Sequence, residues 1–303
     1  MSRSRERAPQ AEIESLKSAV ATPRLASAPG SHHIVVACPK GGTAKTTTAA
    51  MLGLSLADLR GEIVSVVDAN LHLGTLRRRL VSPAATPTRS FRELCTRALA
   101  GDVLPEWSAL APYADVVGGL RVLRSQTADP AGDEFLTSQE FGAGIGLLRR
   151  AAQIVICDVG TSANGPVGVA ALECASTLVL ATELAHDSLE LTIEMVSALA
   201  GEPLSYRPDP DDWSAVSNGR FASLVQGGIV VVAPGRADPG GEDMTAMVDW
   251  LRVVCGGGVF LINRDDHLAL GDLIVPSELQ PDTVIACLRV AAAVAARYPL
   301  AEG

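Results

Sequence analysis

The stretch Cys38-Pro-Lys-Gly-Gly-Thr-Ala-Lys-Thr-Thr-Thr48 holds the residues most able to do chemistry. A phosphate is bound by backbone N–H groups that curl around it and by a helix N-terminus whose dipole faces the charge. Gly41 and Gly42 permit the tight turn that such a curl needs. Lys45 would reach the β- and γ-phosphates of a nucleotide and the Thr46 hydroxyl would ligate Mg²⁺, with Thr43, Ala44 and Thr47 completing the loop. Lysine usage sharpens this reading. Only three of the 25 basic residues are Lys, and two of them, Lys40 and Lys45, flank the glycine pair. Lys40 stands too early to cradle a nucleotide of its own subunit, but it can project toward one held by a second copy.

Two further segments carry carboxylates that a phosphate–metal site needs. Val66-Val-Asp-Ala-Asn70 ends a candidate strand with Asp68, placed to accept a Mg²⁺-bound water. Gln153-Ile-Val-Ile-Cys-Asp158 ends another, with Asp158 placed to hold the Mg²⁺ shell and the Gly160 amide to face the γ-phosphate. Asn70, two residues past Asp68, offers an amide, which can orient a water but cannot take its proton. His72 is a candidate replacement base, and otherwise a solvated loop histidine. Ala44 brings a Cβ next to the phosphates; this is tolerable if its φ is negative.

These groups need a scaffold that brings strand ends together. Short β-branched runs (33–38, 63–68, 120–124, 153–158, 177–181, 228–233, 259–262) alternate with helical patterns (45–59, 88–100, 138–150, 166–174, 187–200, 242–254, 282–297). That alternation predicts an α/β protein with a mainly parallel sheet covered by helices on both faces, which together with the glycine–lysine loop reads as a three-layer P-loop NTPase fold. Residues 1–31 read as a flexible N-terminal head with a short helix over Ala11–Val20, and residues 32–303 as one nucleotide-binding domain. The polar, Pro-rich stretch 202–226 reads as a surface insertion.

Composition narrows the function classes. With 48% apolar residues among 303, the chain can build a large core, which excludes a disordered protein. No apolar run is long enough to span a bilayer and no secretory signal is visible, so a cytoplasmic location is expected. The six scattered cysteines form no CxxC pair and read as reduced thiols. A net charge of −9 argues against a broad nucleic-acid surface. Arg77-Arg-Arg79 points around a helix and reads as solvated surface, and the apolar stretch 282–297 as a core helix rather than a basic membrane anchor.

Taken together, the loop and the two carboxylate segments resemble the MinD/ParA family of deviant Walker A ATPases, whose loop reads KGGxGKT[ST], over about residues 33–297. The resemblance is closest to the MinD-like proteins of actinobacteria. It implies ATP and Mg²⁺ as ligands, with Lys40 the signature lysine acting across an ATP-sandwiched homodimer and Lys45 the loop lysine. It further implies Thr46, Asp68 and Asp158 around the metal, and Asn70 in place of the family's second switch I carboxylate, which activates the attacking water, so hydrolysis is expected to be slow or absent. The implied role is a switch that controls localisation or assembly of a partner complex, without direct membrane binding. Adenine is the expected base. Asn263-Arg-Asp-Asp266 looks like a guanine reader but follows the last strand, where Asp265 or nearby backbone would touch adenine. The rival reading is a pseudo-ATPase scaffold that no longer holds nucleotide, favoured by Ala44.

Overall fold

The computed structural model describes residues 2–22, 32–70, 74–86, 88–125, 136–160, 165–201, 219–235 and 242–298. Eight strands form one sheet: β1 (His32–Ala37), β2 (Val64–Ala69), β3 (Asp115–Val117), β4 (Leu120–Leu123), β5 (Ile154–Val159), β6 (Thr177–Glu183), β7 (Ile229–Ala233) and β8 (Val259–Leu261). Their order is β3-β4-β2-β5-β1-β6-β7-β8, parallel throughout except for β3 against β4. The short strand β3 is the one strand that the sequence patterns do not mark. The helices are α1 (Ser2–Ala21), α2 (Lys45–Leu59), α3 (Leu76–Leu80), α4 (Phe91–Leu99), α5 (Trp107–Leu110), α6 (Ser138–Ala151), α7 (Pro166–Cys174), α8 (His186–Ala200), α9 (Ala222–Gln226), α10 (Glu242–Val254), α11 (Asp266–Ala269) and α12 (Pro281–Ala295).

The strands are apolar on both sides because both faces are covered. In β1, Val35 and Ala37 join one core with Leu94, Phe141, Ile145 and Leu251, while Ile34 and Val36 join the opposite core with Leu52, Leu56, Val290 and Val294. Strand alternation feeds two layers of helices from one run of hydrophobic residues. All six residues of β1, β2 and β5 are buried, so the registers of these central strands are tightly specified. One consequence bears on chemistry: Asp68 of β2 and Asp158 of β5 stand directly opposite each other at the carboxyl ends of adjacent strands.

At the opposite end of β1 the His32–His33 pair is structural. His32 Nε2 lies 3.0 Å from Thr177 Oγ1 and His33 Nε2 lies 3.1 Å from Cys157 Sγ. Burial depresses their pKa values to about 3 and about 4, so both rings are neutral near pH 7. All six cysteines are free thiols.

The head differs from its expected form. Instead of a short helix over Ala11–Val20 in a mobile segment, α1 runs from Ser2 to Ala21 and packs along α12. Ile13, Leu16 and Val20 fall at helical spacing, and Val20 is fully buried. Glu12 Oε1 accepts from Arg289 Nη2 at 2.5 Å, and the Val20 carbonyl accepts from Arg60 Nη1 at 2.7 Å. Helix α12 itself is the core helix that the sequence suggests, and among the described residues no helix is long and apolar enough to cross a membrane. Most of the stretch 202–226 lies outside the described residues; its end forms α9.

Candidate functional site

The glycine-rich loop runs from the end of β1, the strand between β5 and β6, to the first turn of α2. It sits at the carboxyl end of the sheet, where open α/β folds place ligands. Gly42 has φ +87°, a conformation that L side chains avoid. The buried Thr43 hydroxyl donates to the Lys40 carbonyl at 3.1 Å and ties the loop to itself. Ala44 is the N-cap of α2 at φ 58°, ψ 17°, and is the one non-glycine with positive φ among the described residues. The negative φ that would have made alanine harmless is therefore not what the loop adopts. A left-handed alanine costs about 1–2 kcal/mol. Ala44→Gly should raise the melting temperature by about 2 °C, net of glycine's larger unfolded-state entropy. It should also tighten nucleotide binding; a thermal melt paired with a calorimetric titration checks both.

Lys45, only 8% exposed, ion-pairs with Asp158 Oδ1. Thr46 Oγ1 donates to Asp158 Oδ2 at 2.7 Å. Asp68, fully buried beside them, accepts from the backbone N–H of Asn70 at 3.2 Å and of Leu76 at 3.1 Å. Gly74 makes this possible: a Cβ there would fall 2.1 Å from Asp68 Oδ2. Nothing in the sequence flags Gly74, because only the folded-back loop brings it over the carboxylate. Asn70 faces the turn after β5, with its Oδ1 3.5 Å from where a Cβ on Gly160 would stand. Lys45, Thr46, Asp68, Asn70, Asp158 and Gly160 thus share one site. His72 lies outside the described residues.

Two carboxylates and one ammonium leave this buried cluster short of positive charge. Burial, and then the neighbouring Asp158, raise the Asp68 pKa to about 7. The hydroxyl and carboxylate oxygens are the hard donors that Mg²⁺ prefers, so the donor set fits that ion. Among the described residues no three His, Cys, Asp or Glu side chains converge on a metal position. Phosphate oxygens would have to complete the shell. A sign follows for stability. The folded chain holds the Asp68 proton up to about pH 7 whereas the ordinary carboxylate value is 3.8, so the unfolded state binds fewer protons in between. The melting temperature of the nucleotide-free protein should therefore gain a component that falls as pH rises from 4 to 7. Asp68→Asn should remove it, read as the difference between the two proteins' melting curves across that range.

Lys40 does not join this cluster. Its ammonium pairs with Asp187 in the first turn of α8, with both side chains well exposed. That hydrogen bond and charge hold the Asp187 carboxyl below its usual range. Asp187 is not identifiable from sequence, being 147 residues from Lys40.

Arg77-Arg-Arg79 is not the solvated triplet that its spacing suggests. Arg78 is exposed, but Arg77 Nε donates to Asp115 Oδ2 at 2.8 Å and Arg79 is buried. Three consecutive residues do point around a helix; α3 is covered on two of those sides.

A cavity of about 340 Å³ opens beside the loop, walled by Gly42, Thr47 and Met51 on one side and by Pro234, Ile262 and Leu268 on the other. Its size and apolar walls suit a base. Asp265 lines it but its carboxylate is committed elsewhere. Oδ1 accepts from His267 N at 3.0 Å and Leu268 N at 3.3 Å, capping α11, and Oδ2 accepts from Gln280 N at 2.9 Å. Of the two expected base contacts at this strand end, backbone is left. The structure also removes the guanine-reader resemblance, since Asp266 is exposed beside Arg264 and does not line the cavity.

This sheet order and strand–loop–helix constitute the P-loop NTPase fold in the form found in ParA and MinD. No protein-family profile matches the chain, and no curated protein resembles it in sequence. Solved structures match it in fold. A ParA family ATPase from Chlorobium tepidum TLS superposes with TM-score 0.58 at 16% identity, over 88% of this chain and 96% of that one. The septum site-determining protein MinD of Pyrococcus horikoshii OT3, complexed with Mg-ADP, gives 0.55 at 16% identity, over 86% and 94%. A singly substituted McdA from Cyanothece, in complex with ATP, gives 0.56 at 18% identity, over 89% and 98%. At these identities the likeness is one of fold.

Proposed function

We propose that this chain is a MinD/ParA-type protein that binds ATP and Mg²⁺ on the Gly41–Thr47 loop and dimerises face to face around the nucleotide, hydrolysing it slowly. The observation that carries the reading is the meeting of Lys45, Thr46, Asp158 and Asp68 at the ends of three adjacent central strands, beside a base-sized cavity. The similarly folded Pyrococcus and Cyanothece proteins were solved with Mg-ADP and ATP, which supports the choice of ligand.

In this scheme Lys45 exchanges Asp158 for the β- and γ-phosphates, which would free that carboxylate to hold a metal ion. When bound, Mg²⁺ would supply positive charge against the phosphates. Thr46 and Asp158 would hold it, with Asp68 receiving a hydrogen bond from its water shell. Asn70 orients the attacking water without deprotonating it. Lys40, once freed from Asp187, reaches the nucleotide of the second copy, as in deviant Walker A loops. A long-lived ATP dimer is a switch: partners that read the joined surface bind one nucleotide state only.

Calorimetric titration with Mg·ATP, and with Mg·GTP as comparison, tests the first step. Saturable ATP binding, weakened at least tenfold for GTP, is expected. Absence of heat with either nucleotide would eliminate the switch and leave a scaffold, the reading to which left-handed Ala44 lends itself.

A further inference from the structure

Arg79 is a buried cation, eased by the nearby charge of Asp272 and by the acceptors that its two terminal nitrogens find, without which its burial would be costly. Its acceptors come from two distant parts of the chain, the loop helix and the Leu268–Asp272 segment. Nη2 donates to Thr47 Oγ1 on the loop helix at 3.1 Å and to the Leu268 carbonyl at 3.1 Å, and Nη1 donates to the Asp272 carbonyl at 3.0 Å. Leu268 and Ala269 wall the base cavity, and Thr47 lines its phosphate side. Arg79 itself belongs to α3, whose first N–H is held by the Asp68 carboxylate. One guanidinium therefore touches the base wall and the phosphate loop, and stands on the helix that begins at the metal-site carboxylate.

We infer that Arg79 is a positioning residue that couples occupancy of the nucleotide cavity to the conformation of the Asp68–Asn70 segment through α3. Its planar fork, with several donors in fixed directions, suits a three-way junction that a lysine could only partly replace. Filling the cavity presses on Leu268 and Thr47. Arg79 carries both displacements to α3, and α3 carries them to the Leu76–Asp68 hydrogen bond. The base end of the nucleotide, and not only its terminal phosphate, thereby sets the segment that holds Asn70. This inference rests on the nucleotide reading above.

Hydrogen exchange with and without Mg·ADP tests it, in wild type, Arg79→Ala, Arg79→Lys and Thr47→Val. Thr47→Val removes one acceptor while leaving the Arg79 charge and its carbonyl partners in place, so it serves even if Arg79→Ala folds poorly. In wild type, ADP should slow exchange in residues 43–52, 76–81 and 268–274 together. In Arg79→Ala and Thr47→Val, protection should persist in 43–52 but fall away in 76–81, with Arg79→Lys intermediate. ADP affinity should drop about tenfold in Arg79→Ala, the loss of one charge-assisted positioning contact. Protection of 76–81 retained in both Arg79→Ala and Thr47→Val would overturn the coupling while leaving nucleotide binding intact. No protection of 43–52 in wild type would remove the nucleotide reading itself, and the coupling with it.

Discussion

Asn70→Asp should raise the rate of phosphate release from ATP by about 10²-fold, the lower end of what a positioned general base contributes. The geometry explains both the sign and the restraint. Asn70 stands two residues after Asp68, just past the end of β2; its N–H is fixed by the Asp68 carboxylate, and its side chain faces the Gly160 turn. A carboxylate in that position could take the proton of a water lying between the Asp68–Asn70 segment and the Gly160 turn. It would also be the third carboxylate near a site whose one buried ammonium is Lys45. Like charges oppose one another there until phosphate-bound metal arrives, which holds the gain below the upper limit. Phosphate release measured under saturating Mg·ATP decides the matter; equal rates in the two proteins would dispose of Asn70 as the cause of slow turnover.

Lys40→Ala should leave the ATP-bound chain monomeric by light scattering at concentrations where the wild type is fully dimeric, a shift of about 100-fold or more in the dimer dissociation constant. Removing a buried charge partner typically costs 2–5 kcal/mol across an interface. Binding of ATP to the monomer should change little, because Lys40 lies outside its own subunit's phosphate cluster. The Lys40–Asp187 pair adds a second arm. Exposed ion pairs contribute about 0–1 kcal/mol, so Asp187→Ala should favour the dimer by no more than about fivefold. A wild type that remains monomeric with saturating ATP would contradict the proposed dimer. Equal dimerisation by Lys40→Ala would take the role away from that lysine.

Much of the site is legible in the chain because its chemistry is local. Gly41, Gly42, Lys45 and Thr46 fall within six residues, and the turn and helix start that they need are encoded on the spot. Asp68 and Asp158 each close an apolar β-branched run, and a parallel sheet necessarily gathers such strand ends on one edge. What escaped reading is long-range or conformational. The sign of φ at Ala44 depends on how the whole loop is held. Asp265 reads as a base contact until Gln280 and the start of α11 are seen to occupy its oxygens. Arg79 reads as solvent-facing until the loop at Leu268–Asp272 folds over it.

The sequence by itself determined the class of fold and the position of the glycine-rich loop, since hydrophobic alternation and glycine-lysine spacing act over a few residues and leave a local trace. Tertiary structure alone decided the partners: Asp187 for Lys40, Thr47 for Arg79, Gly74 beneath Asp68, and α12 for the N-terminal helix. Those pairings are set by which surfaces the two cores bring into register. A side-chain contact that forms only on folding leaves no periodicity in either partner's own segment.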